Sequence, residues 1–186
     1  MRRYRSFAVT SLFAVLVLLS IAGSVSASTI CESVLPFNID AGSLEPIAVA
    51  LLHRSPTFQQ QCLRIARTVV LRVRVRITPR LRGGLGETTI QRFDTGALRA
   101  EIVLLFGQDY VELLAHEFEH VLEQVDQVNL SHEVTARRAW ITGTGAFETV
   151  RARDTGVRTR QEVDALAAEA VEGSQRVTPR PRDPFQ

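Results

Sequence analysis

Between Leu71 and Ile77 the chain alternates without interruption. Leu71, Val73, Val75 and Ile77 are apolar, and Arg72, Arg74 and Arg76 stand between them. A period of two sends successive side chains to opposite faces, so Val69 to Ile77 is predicted to be a strand with one buried face and one solvated face. A sheet built from such a strand is covered on one side only, and the covering layer must come from helices elsewhere in the chain. Two further strands are predicted at Glu87 to Phe93 and Leu98 to Leu105, joined by Asp94-Thr95-Gly96, a turn suited to a hairpin. The expectation is an α+β fold with a short antiparallel sheet of about three strands. Three arginines in a row invite an anion-binding reading, but a solvated strand face is the simpler one. Gly83-Gly84-Leu85-Gly86 is not a phosphate loop, because it lacks the spacing, the Lys and the following helix.

Helical signals flank the strands. Ser43-Leu44-Glu45-Pro46 opens one short helix, and Ser55-Pro56 opens another reaching about Arg67, with Ser as cap and Pro tolerated in the first turn. From Asp109 a 3.6 period returns: Asp109 and Glu112 have capping-box spacing, and the helix is expected to end near Asp126 or Gln127. Further helices are predicted over Ser131 to Trp140, Ala146 to Asp154, and Thr159 to Glu172, with a break at Thr142-Gly143-Thr144-Gly145.

The two ends read differently from the middle. Arg2, Arg3 and Arg5 precede an almost wholly apolar Phe7 to Gly23, and Val25-Ser26-Ala27 offers small residues for cleavage, the pattern of an export signal over residues 1–27. Cleavage after Ala27 is the favoured reading and directs the protein to the periplasm or outside the cell; an uncleaved N-terminal anchor is the alternative, at about the minimum spanning length. Residues 173–186 carry three prolines and three arginines and read as a disordered tail, leaving 28–172 as a single domain. The whole chain has 22 basic residues, all arginine, against 20 acidic ones. Cleavage removes three arginines and no acid, so the net charge passes from +2 to −1. Such a balance excludes a dedicated nucleic-acid binder, and once the signal is gone no stable membrane association is expected. Cys31 and Cys62 would enter an oxidising compartment and are expected to form a disulfide closing a loop of about 31 residues.

The chemistry-bearing string is His116-Glu117-Phe118-Glu119-His120, an HExxH match. Two His at i and i+4 on a helix stand one turn apart, close enough for both imidazoles to reach one metal, with Glu117 placed to hold a water on it. With His116 at zero on a helical wheel, His120 lies at about 40° and Glu117 at about 100°, while Leu114, Phe118, Val121, Leu122 and Val125 gather around 180°. The motif therefore faces away from the core stripe. Glu119 and Glu123 are expected to face solvent, although Glu123 could orient His120 from one turn on. Asp126 points to about 280°, away from the metal face.

This string, on a helix that follows strands, resembles the catalytic half of the zincin metallopeptidases. The layout from about Ser55 to Glu172 is similar to small exported bacterial proteins of that type. The resemblance implies Zn2+ as cofactor, Glu117 as general base, and a peptide or protein as substrate. It implies a third ligand too, in the gluzincin branch a Glu on a later helix, and Ala146-Phe147-Glu148-Thr149-Val150-Arg151-Ala152 looks like that element. Glu148 is the favoured ligand, with Glu133 and His132 as competitors. It also implies that the strand near Leu98 to Leu104 borders the cleft and pairs with an extended peptide. Candidates for oxyanion stabilisation are Tyr110, His132, Arg137 and Arg138. Two other classes stay open beside the exported peptidase: a catalytically inactive zinc-binding protein of the same fold, and an interaction domain whose motif arises by chance.

Overall fold

Strand β2 (Leu71–Thr78) lies inside a four-stranded sheet with its alternation intact: Leu71, Val73 and Val75 are buried and Arg72, Arg74 and Arg76 are exposed. The computed structural model describes residues 34–176, which all fall in one compact unit. The expected signal segment, Cys31 and the end of the expected tail lie outside the described residues. Among the described residues, no helix is long and apolar enough to cross a membrane. The fold is α+β.

The sheet runs β1 (Ile39–Asp40), β2, β4 (Leu98–Leu105), β3 (Gly86–Arg92). β3 and β4 form the expected antiparallel hairpin across the Phe93–Ala97 turn. The sheet as a whole is mixed, not antiparallel, because β2 pairs with β4 in parallel, as β1 does with β2. The connection over residues 79–85 is seven residues long and, despite Gly83-Gly84, does not close a hairpin between β2 and β3, so β3 settles one strand further out. The hairpin then returns β4 into the gap. Leu71 and Leu98 to Ile77 and Leu104 stand in register, aligning the apolar face.

Helices cover that face. α1 (Glu45–Arg54) contributes Ala48, Leu51 and Leu52, α2 (Pro56–Arg67) contributes Phe58, Cys62 and Ile65, and α3 (Tyr110–Val125) contributes Leu114, Phe118, Val121 and Leu122. Phe58 and Phe118 stack at 5.2 Å between ring centroids. Each fully buried Leu, Ile or Phe contributes roughly 1.5–3 kcal/mol, so this layer is the main source of stability. The opposite face is open to water, and its arginines are partly offset there: Arg74 pairs with Asp40 at 3.5 Å and Arg76 with Glu101 at 2.6 Å, while Arg72 lies over the Phe37 ring.

Beyond α3 the expectations need correction. The helix predicted to reach Trp140 stops early as α4 (Leu130–Thr135), and Ala139–Ile141 is a strand, β5. The helix predicted from Ala146 begins instead with strand β6 (Phe147–Thr149), paired antiparallel to β5 across the Thr142–Gly145 turn. β-Branched and aromatic residues at Trp140, Ile141, Phe147 and Thr149 suit a short hairpin, which three-residue segments cannot reveal by period. A single helix, α5 (Val150–Arg176), then runs through the expected start at Thr159 and beyond the expected end at Glu172. Thr159 is buried inside it, and Glu162 serves a different helix: its carboxylate accepts from the Ser55 hydroxyl at 2.5 Å and from the Thr57 N–H and hydroxyl at 3.1 and 2.6 Å. Ser55 in turn caps α2 by accepting the Phe58 N–H.

Glu162→Ala removes three of these bonds at the first turn of α2 and is expected to cost about 1–2 kcal/mol in urea denaturation. Thr159→Val is expected to be neutral or stabilising, since its buried hydroxyl has no hydrogen-bond partner among the described residues. A large loss at Thr159 with none at Glu162 would restore a helix start at 159.

Candidate metal centre

α3 starts where the Asp109 carboxylate accepts the Val111 N–H at 3.1 Å and forms an ion pair with Arg160 of α5. Its apolar stripe faces the sheet as the wheel predicts. The other side does not face water, because α5 and β3 lie against it. Gly156 permits the close crossing of α5. A Cβ there would lie 2.9 Å from the Glu112 carbonyl oxygen and 3.2 Å from the His116 Cβ. Glycine inside a helix costs about 1 kcal/mol relative to Ala, and here that cost admits the second wall of the site.

Enclosure changes the fate of the acidic residues. Glu119 and Glu123, expected in solvent, are 6% and 1% exposed. Glu119 accepts from Gln61 of α2 at 2.7 Å and from Arg151 of α5 at 2.6 Å. Glu123 accepts from the Thr149 hydroxyl at 2.6 Å, and its other oxygen lies 2.9 Å from His120 Nδ1. A buried carboxylate must be hydrogen-bonded, and each of these has found partners on another element or one turn away. The orienting contact from Glu123 to His120 is thus present. Asp126 binds Arg64 and Arg151, at 2.5 and 2.9 Å, away from the motif's metal face.

The imidazoles meet Glu148. His116 Nε2 and His120 Nε2 lie 3.2 and 3.6 Å from Glu148 Oε1, and the three side chains offer ligand atoms all within 4.8 Å of one another. Tetrahedral bonds of about 2.0–2.2 Å separate ligand atoms by roughly 3.3 Å, so this N, N, O set could hold one small divalent ion. Glu148 comes from strand β6, not from the later helix that the resemblance implies. Glu133 and His132 are not brought to this cluster: Arg138 forks onto Glu133 at 2.6 and 2.8 Å and holds its carboxyl down to about 2, and His132 is exposed. No protein-family model, curated protein or solved structure matches this chain.

Glu117 lies to the side of the cluster, 3% exposed, with its carboxylate accepting from the Thr88 hydroxyl of β3 at 2.6 Å. Burial pushes its carboxyl above the ordinary range, against the lowering effect of the Thr88 bond and of His116 and His120. For His120, burial favours the neutral ring, but the bonds to Glu123 and Glu148 outweigh it and push the imidazole up to about 10. Burial would raise Glu148, yet the bonds to His116 and His120 hold it well below the usual carboxylate range. These shifts favour a proton on His120, between the carboxylates of Glu123 and Glu148. Thr88, Thr149, Arg151 and Gln61 had no signal in the sequence, since each is an ordinary polar residue made specific only by its partner.

The folded His120 value of about 10 exceeds the ordinary 6.5, so its contribution to stability is complete below pH 6.5 and is lost as pH rises toward 10. Glu148 acts in the opposite sense, its contribution being present above 4.5 and lost as pH falls toward its lowered value. The chelated protein is therefore expected to melt at steadily lower temperature from pH 6.5 to 10, with a shallower decline in Glu148→Ala. A flat profile over that range would show that the proton is not held as described.

Proposed function

We propose that this chain is an exported, zinc-dependent, gluzincin-like peptidase in which His116, His120 and Glu148 hold Zn2+ and Glu117 is the general base. The observation that carries the reading is the convergence of His116 Nε2 and His120 Nε2 on Glu148 Oε1 at 3.2 and 3.6 Å. Glu123 adds the carboxylate behind a ligating imidazole that fixes its tautomer and ring plane. Zinc in this triad would supply a Lewis acid for the scissile carbonyl and a lowered pKa for a coordinated water.

The chain's own groups do the rest. The Glu117 carboxylate takes a proton from the attacking water and returns it to the leaving amine nitrogen. Burial makes it a stronger base than an exposed Glu, which suits work near neutral pH. An extended peptide needs a free sheet edge, and here the expected strand is replaced. β4 is paired on both sides, whereas β3 has no strand outside it among the described residues. The β3–β4 ladder bonds Leu105 N–H to Leu85 and Phe93 N–H to Ala97, so by alternation the main-chain groups of Gly86, Thr88 and Ile90 point to the outer edge. A substrate strand added there would run beside Glu117.

A zinc-binding protein without turnover is the second reading, and one observation favours it. Two of the four oxyanion candidates are committed to other partners: the Tyr110 hydroxyl accepts from the Gly107 N–H, and Arg138 binds Glu133.

Digestion of a peptide library with and without chelator separates the two readings. Glu117→Gln is expected to keep stoichiometric zinc while losing at least about 100-fold in kcat, the scale of general-base catalysis. Loss of zinc in that variant would make Glu117 structural. Glu148→Ala is expected to weaken zinc binding by at least about 100-fold in a competition titration, because an N, N, O site loses a ligand. Unchanged affinity would return the third ligand to Glu133 or His132.

A further inference from the structure

The glycine-rich Gly83–Gly86 segment has no part in the metal triad, yet its last residue opens β3 directly against Glu117. A Cβ built on Gly86 would lie 2.2 Å from Glu117 Oε1, 2.8 Å from Cδ and 3.0 Å from Cγ. Two residues on, and so on the same face of the strand, the Thr88 hydroxyl donates to Glu117 Oε2 at 2.6 Å and lies 3.3 Å from the Glu117 carbonyl oxygen. One carboxylate oxygen thus occupies the space left by the absent side chain at 86, and the other is held by the hydroxyl at 88.

We infer that Gly86 and Thr88 form a notch on the edge strand that positions the Glu117 carboxylate, making both of them positioning residues for the base. The inference rests on the reading of Glu117 given above. It assigns β3 two tasks, since the same residues, Gly86 and Thr88, turn their main-chain groups to the outer edge where a peptide would pair. Substrate alignment and base alignment are then set by one piece of backbone. The Thr88 hydroxyl bonds Glu117 and not His116, His120 or Glu148, so the notch should act on turnover and not on metal affinity.

Two variants separate positioning from folding. In Gly86→Ala the three atoms nearest the added methyl all belong to the Glu117 side chain and none to backbone, so the carboxylate is displaced before the strand is. Thr88→Val keeps shape and removes the hydroxyl, and Thr88→Ser restores it. Full-length protein with an intact zinc site, checked by competition titration, is expected to show kcat reduced by about 10- to 100-fold in Gly86→Ala and Thr88→Val, with KM changed less than threefold and with Thr88→Ser near wild type. The second measurement needs no activity: the carbon-13 resonance of the Glu117 carboxyl should move in Thr88→Val and return in Thr88→Ser. Unmoved resonances in Thr88→Val and Gly86→Ala would overturn the notch whether or not the wild type cleaves peptides. A wild type that binds zinc, shows the expected resonance shifts and cleaves nothing would overturn the peptidase reading and leave the notch standing. Equal losses of kcat and zinc affinity would also overturn the positioning role, since they would mark the residues as structural.

Discussion

Three carboxylates are buried on one helix, and the arrangement of the other elements follows from having to satisfy them. An unpartnered ionised carboxylate in the interior costs several kcal/mol after relaxation, more than most single contacts return. Glu117, Glu119 and Glu123 of α3 therefore cannot be enclosed unless hydrogen-bond donors arrive from outside the helix. At 100° per residue, Glu119 and Glu123 share one flank and Glu117 lies on another, so one neighbouring element could not serve all three. β3 supplies Thr88 to Glu117, α2 and α5 supply Gln61 and Arg151 to Glu119, and the end of β6 supplies Thr149 to Glu123. The apolar stripe explains why α3 lies on the sheet. The carboxylates explain why four other elements stand where they do around it.

That division also separates what could be read in the sequence from what could not. β2, β3 and β4 were legible to within about two residues because period-two alternation and a hairpin turn are local properties. α2 and α3 were legible because their caps, Ser55 and Asp109, are adjacent to their first turns. His116 and His120 could be paired because their spacing lies within one helix. Sheet order could not be read, since nothing in residues 79–85 states which strand β3 will join. The helical wheel failed for Glu119 and Glu123 because it treats a helix as having a core side and a water side. A helix walled on both sides has no water side, and its polar residues go where their donors are. Thr159 and Glu162 misled for a related reason: capping spacing is a local signal, and Glu162 caps a helix about a hundred residues earlier in the chain.

The third candidate ligand, Glu148, stands on a strand and not on the later helix that the sequence resemblance implies. A ligand at the end of a two-stranded hairpin would be poorly held, since such hairpins have little stability alone. Thr149, the residue after Glu148, resolves this. Its hydroxyl accepts the Ala152 N–H at 2.9 Å, capping the first turn of α5, and donates to Glu123 at 2.6 Å. Glu123 then reaches His120 Nδ1 through its second oxygen. The start of α5, the position of Glu148 and the orientation of His120 are thus joined through one buried hydroxyl. α5 is itself locked to α3 by the Gly156 crossing and by Arg151 on Glu119 and Asp126. Glu148 therefore gains its rigidity from the helix that follows it. A strand-borne carboxylate can in this way serve as fixed a position as one carried on the helix itself, because preorganisation depends on what holds the neighbouring residue and not on the class of element that bears the ligand.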